Sequence, residues 1–143
     1  MPNDDFRLSA NPPSWYLELF DAAKFRIIES EAVLGIGDEA DDTHFEVYVD
    51  VEDNSLPEEV YKRARLAISH IVEMDSRARL IDGRWEHNEH LGFIKLDKNE
   101  VRLRYWATSV NTEWDVVFKF DDQDQLTCLG IPDWQNPGSY ISQ

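Results

Sequence analysis

A single cysteine, Cys128, stands in this chain of 143 residues, so no disulfide can form within it. That usage fits a reducing compartment. No apolar run approaches the roughly 18 residues that a membrane-spanning helix needs, and the opening MPNDDFRLSANPPSW has no basic region ahead of an apolar one, as a secretory signal would. The expectation is a cytoplasmic protein without membrane attachment. Basic residues are also scarce, 14 against 29 acids, for a net charge of −15. The shortage is local. Residues 1–59 carry −13, residues 60–104 carry +3 and residues 105–143 carry −5, and from Glu29 to Glu59 there are twelve acids and no lysine or arginine. Such a field repels phosphate backbones, which excludes nucleic acid as the expected partner, and it attracts and steers basic proteins.

What is present suits a globular domain: 42% hydrophobic residues and 12% aromatic ones, in a length that fits one core. The chain reads as a single domain, 1–143, with irregular termini at 1–14 and 132–143. NSLPEEVYKRARLAISHIVEM has Ser55 placed as an N-cap, Pro57 in the first turn and Glu58 three residues after the serine, which predicts a helix. Val60, Ala64, Ile68 and Ile71 form its apolar stripe. The expected span is about 56–74, possibly to 82, with Gly83 as a C-cap. His70 adjoins the stripe and reads as a half-buried core histidine. Downstream the period becomes two. LGFIKLD, VRLRYWA, WDVVFKF and LTCLGI, joined by polar turns, predict an antiparallel meander, and HFEVYVDV upstream alternates with Glu46, Tyr48 and Asp50 facing out. WYLELFDAAKFRIIES fits one helix or two short strands, and the alternation at Phe25-Arg26-Ile27 favours strands. The fold class expected is α+β, an antiparallel sheet of five to seven strands packed on one long helix.

Catalytic signatures are few. RWEHNEHLG places His87 and His90 three apart among Glu86 and Glu89, and His44 or a carboxylate could complete a metal set. A zincin needs histidines four apart on one helix face, with glutamate following the first. His-Asn-Glu-His is one residue short, and the stretch runs directly into a strand, so no metal site is favoured there and no cofactor is expected. Trp85 reads as a packing anchor. DDQDQLTCLGIPD carries leucine and threonine where a calcium loop needs an oxygen ligand and glycine, so DDQDQ reads as a turn. There is no nucleophile elbow, phosphate loop or dinucleotide fingerprint. Cys128, mid-strand, reads as a packed thiol. Binding is therefore favoured over catalysis. The candidate partner-binding residues are Asp38, Glu39, Asp41, Asp42, Glu46, Asp50, Glu52 and Asp53 from the base-free run, together with Trp106, which shares a strand face with Arg102 and Arg104.

The layout SLPEEVYKRARLAISHIVEMDSRARLI, followed by RLRYW, WDVVFKFD, DQDQ and LTCLGI, resembles a family of small bacterial domains found among immunity proteins of polymorphic toxin systems. The resemblance covers about residues 40–131, and the glycine usual in the family's acidic turn is missing here. It implies an α+β fold, no catalytic residues, and a role in neutralising a toxin. The expected function is an acidic protein that masks the basic surface of a partner, such as a toxin domain. The alternatives are a metal-dependent enzyme using the Glu86–His90 stretch, or a structural or regulatory module without catalysis.

Overall fold

The computed structural model describes residues 8–37, 44–51, 55–81, 85, 89–107 and 112–141. Its frame is one eight-stranded sheet in sequential order: β1 (Arg26–Ile28), β2 (Glu31–Ile36), β3 (Phe45–Asp50), β4 (His90–Asp97), β5 (Glu100–Ala107), β6 (Thr112–Phe120), β7 (Leu126–Pro132) and β8 (Tyr140–Ile141). Three short helices accompany it: α1 (Pro13–Ala22), α2 (Glu58–Ser69) and α3 (Ile71–Ala78). The expectation of five to seven antiparallel strands on one long helix is thus corrected: sheet dominates, and the sheet is mixed. Neighbouring strands are antiparallel except β3 and β4, which run parallel, Val47 opposite Ile94 and Val49 opposite Leu96. The reason is the connection. A tight turn reverses the chain, whereas two intervening helices carry it back to the starting end of the sheet.

The helical segment departs from expectation at its start and in the middle, while its end at Ala78 lies within the expected bounds. Pro57, not Ser55, is the N-cap, and no side chain caps the first turn. At His70 the backbone turns to φ −108° and ψ 9°, which ends α2 and lets α3 start in a new direction. The break keeps Ala64, Ala67 and Ile68 of α2 and Ile71, Met74 and Ala78 of α3 buried against one core. The His70 ring lies edge-on to Phe120, and its Nδ1 is 3.2 Å from Glu73. Gly83 lies outside the described residues. In the N-terminal segment, Pro13 to Ala22 forms α1 instead of a strand. Proline is tolerated in the first turn, and Tyr16 and Phe20, one turn apart, are the side chains the helix buries. Only Arg26–Ile28 of the segment is strand.

Alternation then builds the core. Phe45, Val47 and Val49 of β3, Ile94 and Leu96 of β4, Val101, Leu103 and Tyr105 of β5, and Val116, Phe118 and Phe120 of β6 pack in one cluster with α1, α2 and α3. α1, α2 and α3 therefore lie on one face of the sheet. Trp85 seals the end of this layer as an anchor: its ring is edge-on to Tyr105 and Trp114, and its indole donates to the Ile81 carbonyl at 2.8 Å. Asp121 accepts N–H bonds from Gln123 and Gln125 in the turn between β6 and β7, so DDQDQ is a turn held by its own first carboxylate. Within the segment that reads as an irregular C-terminus, Tyr140–Ile141 returns as β8 and pairs with Ile131 and Pro132. No helix among the described residues is long and apolar enough to cross a membrane.

Candidate interaction surface

The opposite face of the sheet carries no helix among the described residues. On β3 it presents Glu46, Tyr48 and Asp50, and on β5 Arg102, Arg104 and Trp106, in the alternation the sequence shows. On β4 simple alternation fails. A bulge between Leu91 and Phe93 shifts the register, so that Leu91 and Ile94 both point into the core and Phe93 turns to the open face. There Phe93 meets the edge of Tyr48, with centroids 5.3 Å apart, and the Arg104 guanidinium lies 5.3 Å from the Phe93 ring centre. The bulge also seats Trp106. A side-chain carbon at Gly92 would come within 3.2 Å of the Trp106 indole, so glycine leaves the room the ring occupies. Trp106 is 42% exposed, with its ring edge-on to His90 across the strand pair.

Charges on this face are arranged in two clusters. Lys95 lies 3.6 Å from both Glu31 and Asp50. Asp115 accepts from Arg102 at 3.0 Å and from both Nε and Nη2 of Arg104, whose Nη1 is 3.2 Å from Glu113. The hydrogen bond to Asp115 raises the Arg104 pKa further, against the smaller opposing effect of burial. Partial burial raises the Tyr48 hydroxyl, and the Glu46 carboxylate, which accepts its hydrogen bond at 3.2 Å, raises it again. Both groups hold their ordinary neutral-pH forms, a neutral phenol and a charged guanidinium.

Of the residues singled out in the sequence, Glu46, Asp50 and Trp106 fall on this one face. Asp38, Glu39, Asp41, Asp42, Glu52 and Asp53 lie outside the described residues, as do Glu86 and His87. His90 begins β4 against Trp106, and among the described residues no group of three histidine, cysteine or acidic side chains could hold a metal ion. Cys128 sits in β7, half-buried, and burial raises its thiol pKa, which keeps it protonated. Sequence reasoning missed Phe93, which only the bulge brings to this face, and Trp134 in the β7–β8 hairpin, 84% exposed beside Arg102 and Arg104 along a groove of about 550 Å³. A glycine inside a strand pattern, Gly92, is the one local sign of the bulge. No family model, curated protein or solved structure matches this chain.

Proposed function

We propose that this protein is a binding module that masks a basic surface of a partner protein, as an immunity protein masks a toxin, and that the uncovered sheet face is its contact surface. One observation carries the reading: among the described residues an eight-stranded sheet leaves one face without helices, and that face gathers Tyr48, Phe93 and Trp106 with Arg102 and Arg104. Aromatic residues and arginine are the types enriched at the centres of protein interfaces. Glu31, Glu46 and Asp50 lie toward the β2–β3 side of the same face, and the base-free run of the sequence surrounds them along the chain. Acidic residues beside an aromatic centre suit a basic partner, with the charges speeding encounter and the rings holding the complex.

The test begins with genetic neighbourhood, since immunity genes are expected beside a large secreted toxin. Association of this protein with the adjacent gene's product is then followed by stopped-flow fluorescence across ionic strength. Reversal of Glu46 and Asp50 to lysine, alone and together with Asp38, Glu39, Asp41 and Asp42, should slow association about tenfold at low salt and flatten its salt dependence. Trp106→Ala should act chiefly on dissociation, raising the rate at least about tenfold if the ring lies at the interface centre. Unchanged rates in all three variants, with the thermal transition intact, would remove the proposal.

A further inference from the structure

The groove beside Trp134 has an origin in the strand ladder. β7 pairs with β6 only at Val117 to Phe120, opposite Gly130 to Leu126. Gly130 has φ +112°, a left-handed conformation that suits glycine, and a side-chain carbon there would lie 2.3 Å from the Ile141 carbonyl oxygen. At that kink β7 leaves β6 and continues as Ile131 and Pro132, which pair with β8 instead. β6 runs on for five more residues, Thr112 to Val116, paired with β5 on one side and with no strand among the described residues on the other. No turn, loop or cap backbone hydrogen bond among the described residues involves 112–116. Glu113, Trp114 and Asp115 line the groove together with Ile131, Trp134 and Ile141, and Arg102 and Arg104 of β5 complete it.

We infer that this half-edge of β6 is a strand-addition site, which takes an extended segment of a partner protein with basic and apolar side chains in alternation. The backbone groups of an unpaired edge bind an extended chain at the ordinary spacing of about 4.8 Å, and five residues give a register about 17 Å long. The side-chain chemistry follows from the two sides of β6. Residues of the added strand that fall beside Glu113 and Asp115 meet carboxylates. Those on the alternate side meet Trp114 and Ile131. Asp115 is bound by Arg102 and Arg104, and Glu113 lies 3.2 Å from Arg104 Nη1 while its side chain stays 64% exposed; Asp133 adds a further acid to the lining. With three acids against two arginines around the groove, and −15 over the whole chain, a basic segment is the complementary one. Exposed strand edges are normally blunted by lysine, proline or a covering loop. Here residues 113–115 of the edge line a groove of about 550 Å³. The basic character of the segment rests on the reading of the protein as a binder of basic partners; the strand addition itself rests on the edge.

The probe is a capped five-residue peptide alternating lysine and valine, titrated into the isotope-labelled full chain and followed by amide shifts and hydrogen exchange. Amides of residues 112–116 should shift and gain protection. An analogue N-methylated at two alternate amides keeps its charge but loses two backbone hydrogen bonds, and should bind about tenfold more weakly. A glutamate–valine peptide and the Glu113→Lys variant should each weaken binding to a similar degree. No binding, or shifts that leave 112–116 unaffected, would overturn the inference. Equal affinity for the N-methylated peptide would reduce the contact to charge alone and overturn strand addition, while the basic-partner reading would stand. Equal or tighter binding of the glutamate peptide would overturn the basic class. Protection of 112–116 that rises with protein concentration in the absence of peptide would assign the edge to a second copy and overturn the inference too. Reversal of Glu46 and Asp50 leaves this edge untouched, so the two readings fail separately.

Discussion

Asp75 is 1% exposed and fully used. It accepts the Tyr105 hydroxyl at 2.6 Å, the Leu8 N–H at 3.2 Å, and Nε of Arg79 at 3.2 Å to each oxygen. Arg79 in turn donates to the Glu89 carbonyl and lies against the rings of Trp85 and Tyr105. One carboxylate thereby joins the N-terminal segment, α3 and β5. A buried ion pair returns its desolvation cost only when its remaining lone pairs are filled, and here they are. Burial drives the Tyr105 hydroxyl well above its ordinary pKa of 10.0, and the negative charge of Asp75 adds to the shift. The sign follows. Below pH 10 the tyrosine is neutral in both folded and unfolded chains, and its contribution is intact. Above pH 10 the unfolded chain releases a proton that the folded chain retains, so stability is lost as pH rises toward the folded-state pKa. Tyr105→Phe should cost about 1–2 kcal/mol at pH 7 through the lost hydrogen bond. It should also make the decline between pH 9 and 11 shallower in urea unfolding. Some slope persists, because the Tyr48 hydroxyl is shifted in the same direction. An equal slope in the variant would show that Tyr105 does not govern the alkaline limit.

At the scale of elements, the β7–β8 hairpin depends on Gly130. Gly130→Ala places a methyl group against the Ile141 carbonyl and asks alanine for a left-handed backbone, so β8 should detach. The expected loss is about 1–3 kcal/mol. Amide exchange should accelerate at Ile131 and Ile141 while β4 and β5 keep their protection. Uniform acceleration would mean that the hairpin and the sheet open together. The elements read well from sequence where their cause is local. β3 and β5 alternate strictly because one face is core and the other solvent, and all three described candidates for the partner surface sit on them by that rule alone. The apolar stripe of α2 and α3 was likewise visible in Ala64, Ile68 and Ile71. What could not be read has non-local causes. The parallel pairing of β3 with β4 depends on where two helices return the chain. The break at His70 lets two helical faces meet one core. Phe93 reaches the open face through a bulge whose only local mark is Gly92, and Pro13–Ala22 forms a helix because Tyr16 and Phe20 find partners far along the chain. Trp134 lies beyond the last alternating run, and it follows the kink at Gly130 to line the same groove as Arg102 and Arg104.

For the whole molecule the decisive quantity is charge. With 29 acids and 14 bases, negative charges exceed positive ones by 15. Several of the pairs that do form are exposed, such as Lys62–Glu58 at 72% and 83%, and exposed pairs contribute little. Repulsion among the excess acids should therefore outweigh the attraction within the pairs, and screening should help the fold. Between about 0.02 M and 0.5 M sodium chloride the Debye length falls from roughly 20 Å to about 4 Å. The unfolding free energy should rise by about 1 kcal/mol over that range, measured by urea unfolding at pH 7. Chloride is the suitable anion, because sulfate strengthens apolar burial by itself. A fall with salt would mean that the clusters around Lys95 and Asp115 govern the electrostatics, and that the acidity costs the fold nothing. The two outcomes bear directly on function. If repulsion dominates, a basic partner relieves it on contact, and that relief adds to the binding free energy beyond any single ion pair. The protein would then hold its acidic field at a cost in its own stability, and the partner's positive surface would offset that cost on binding.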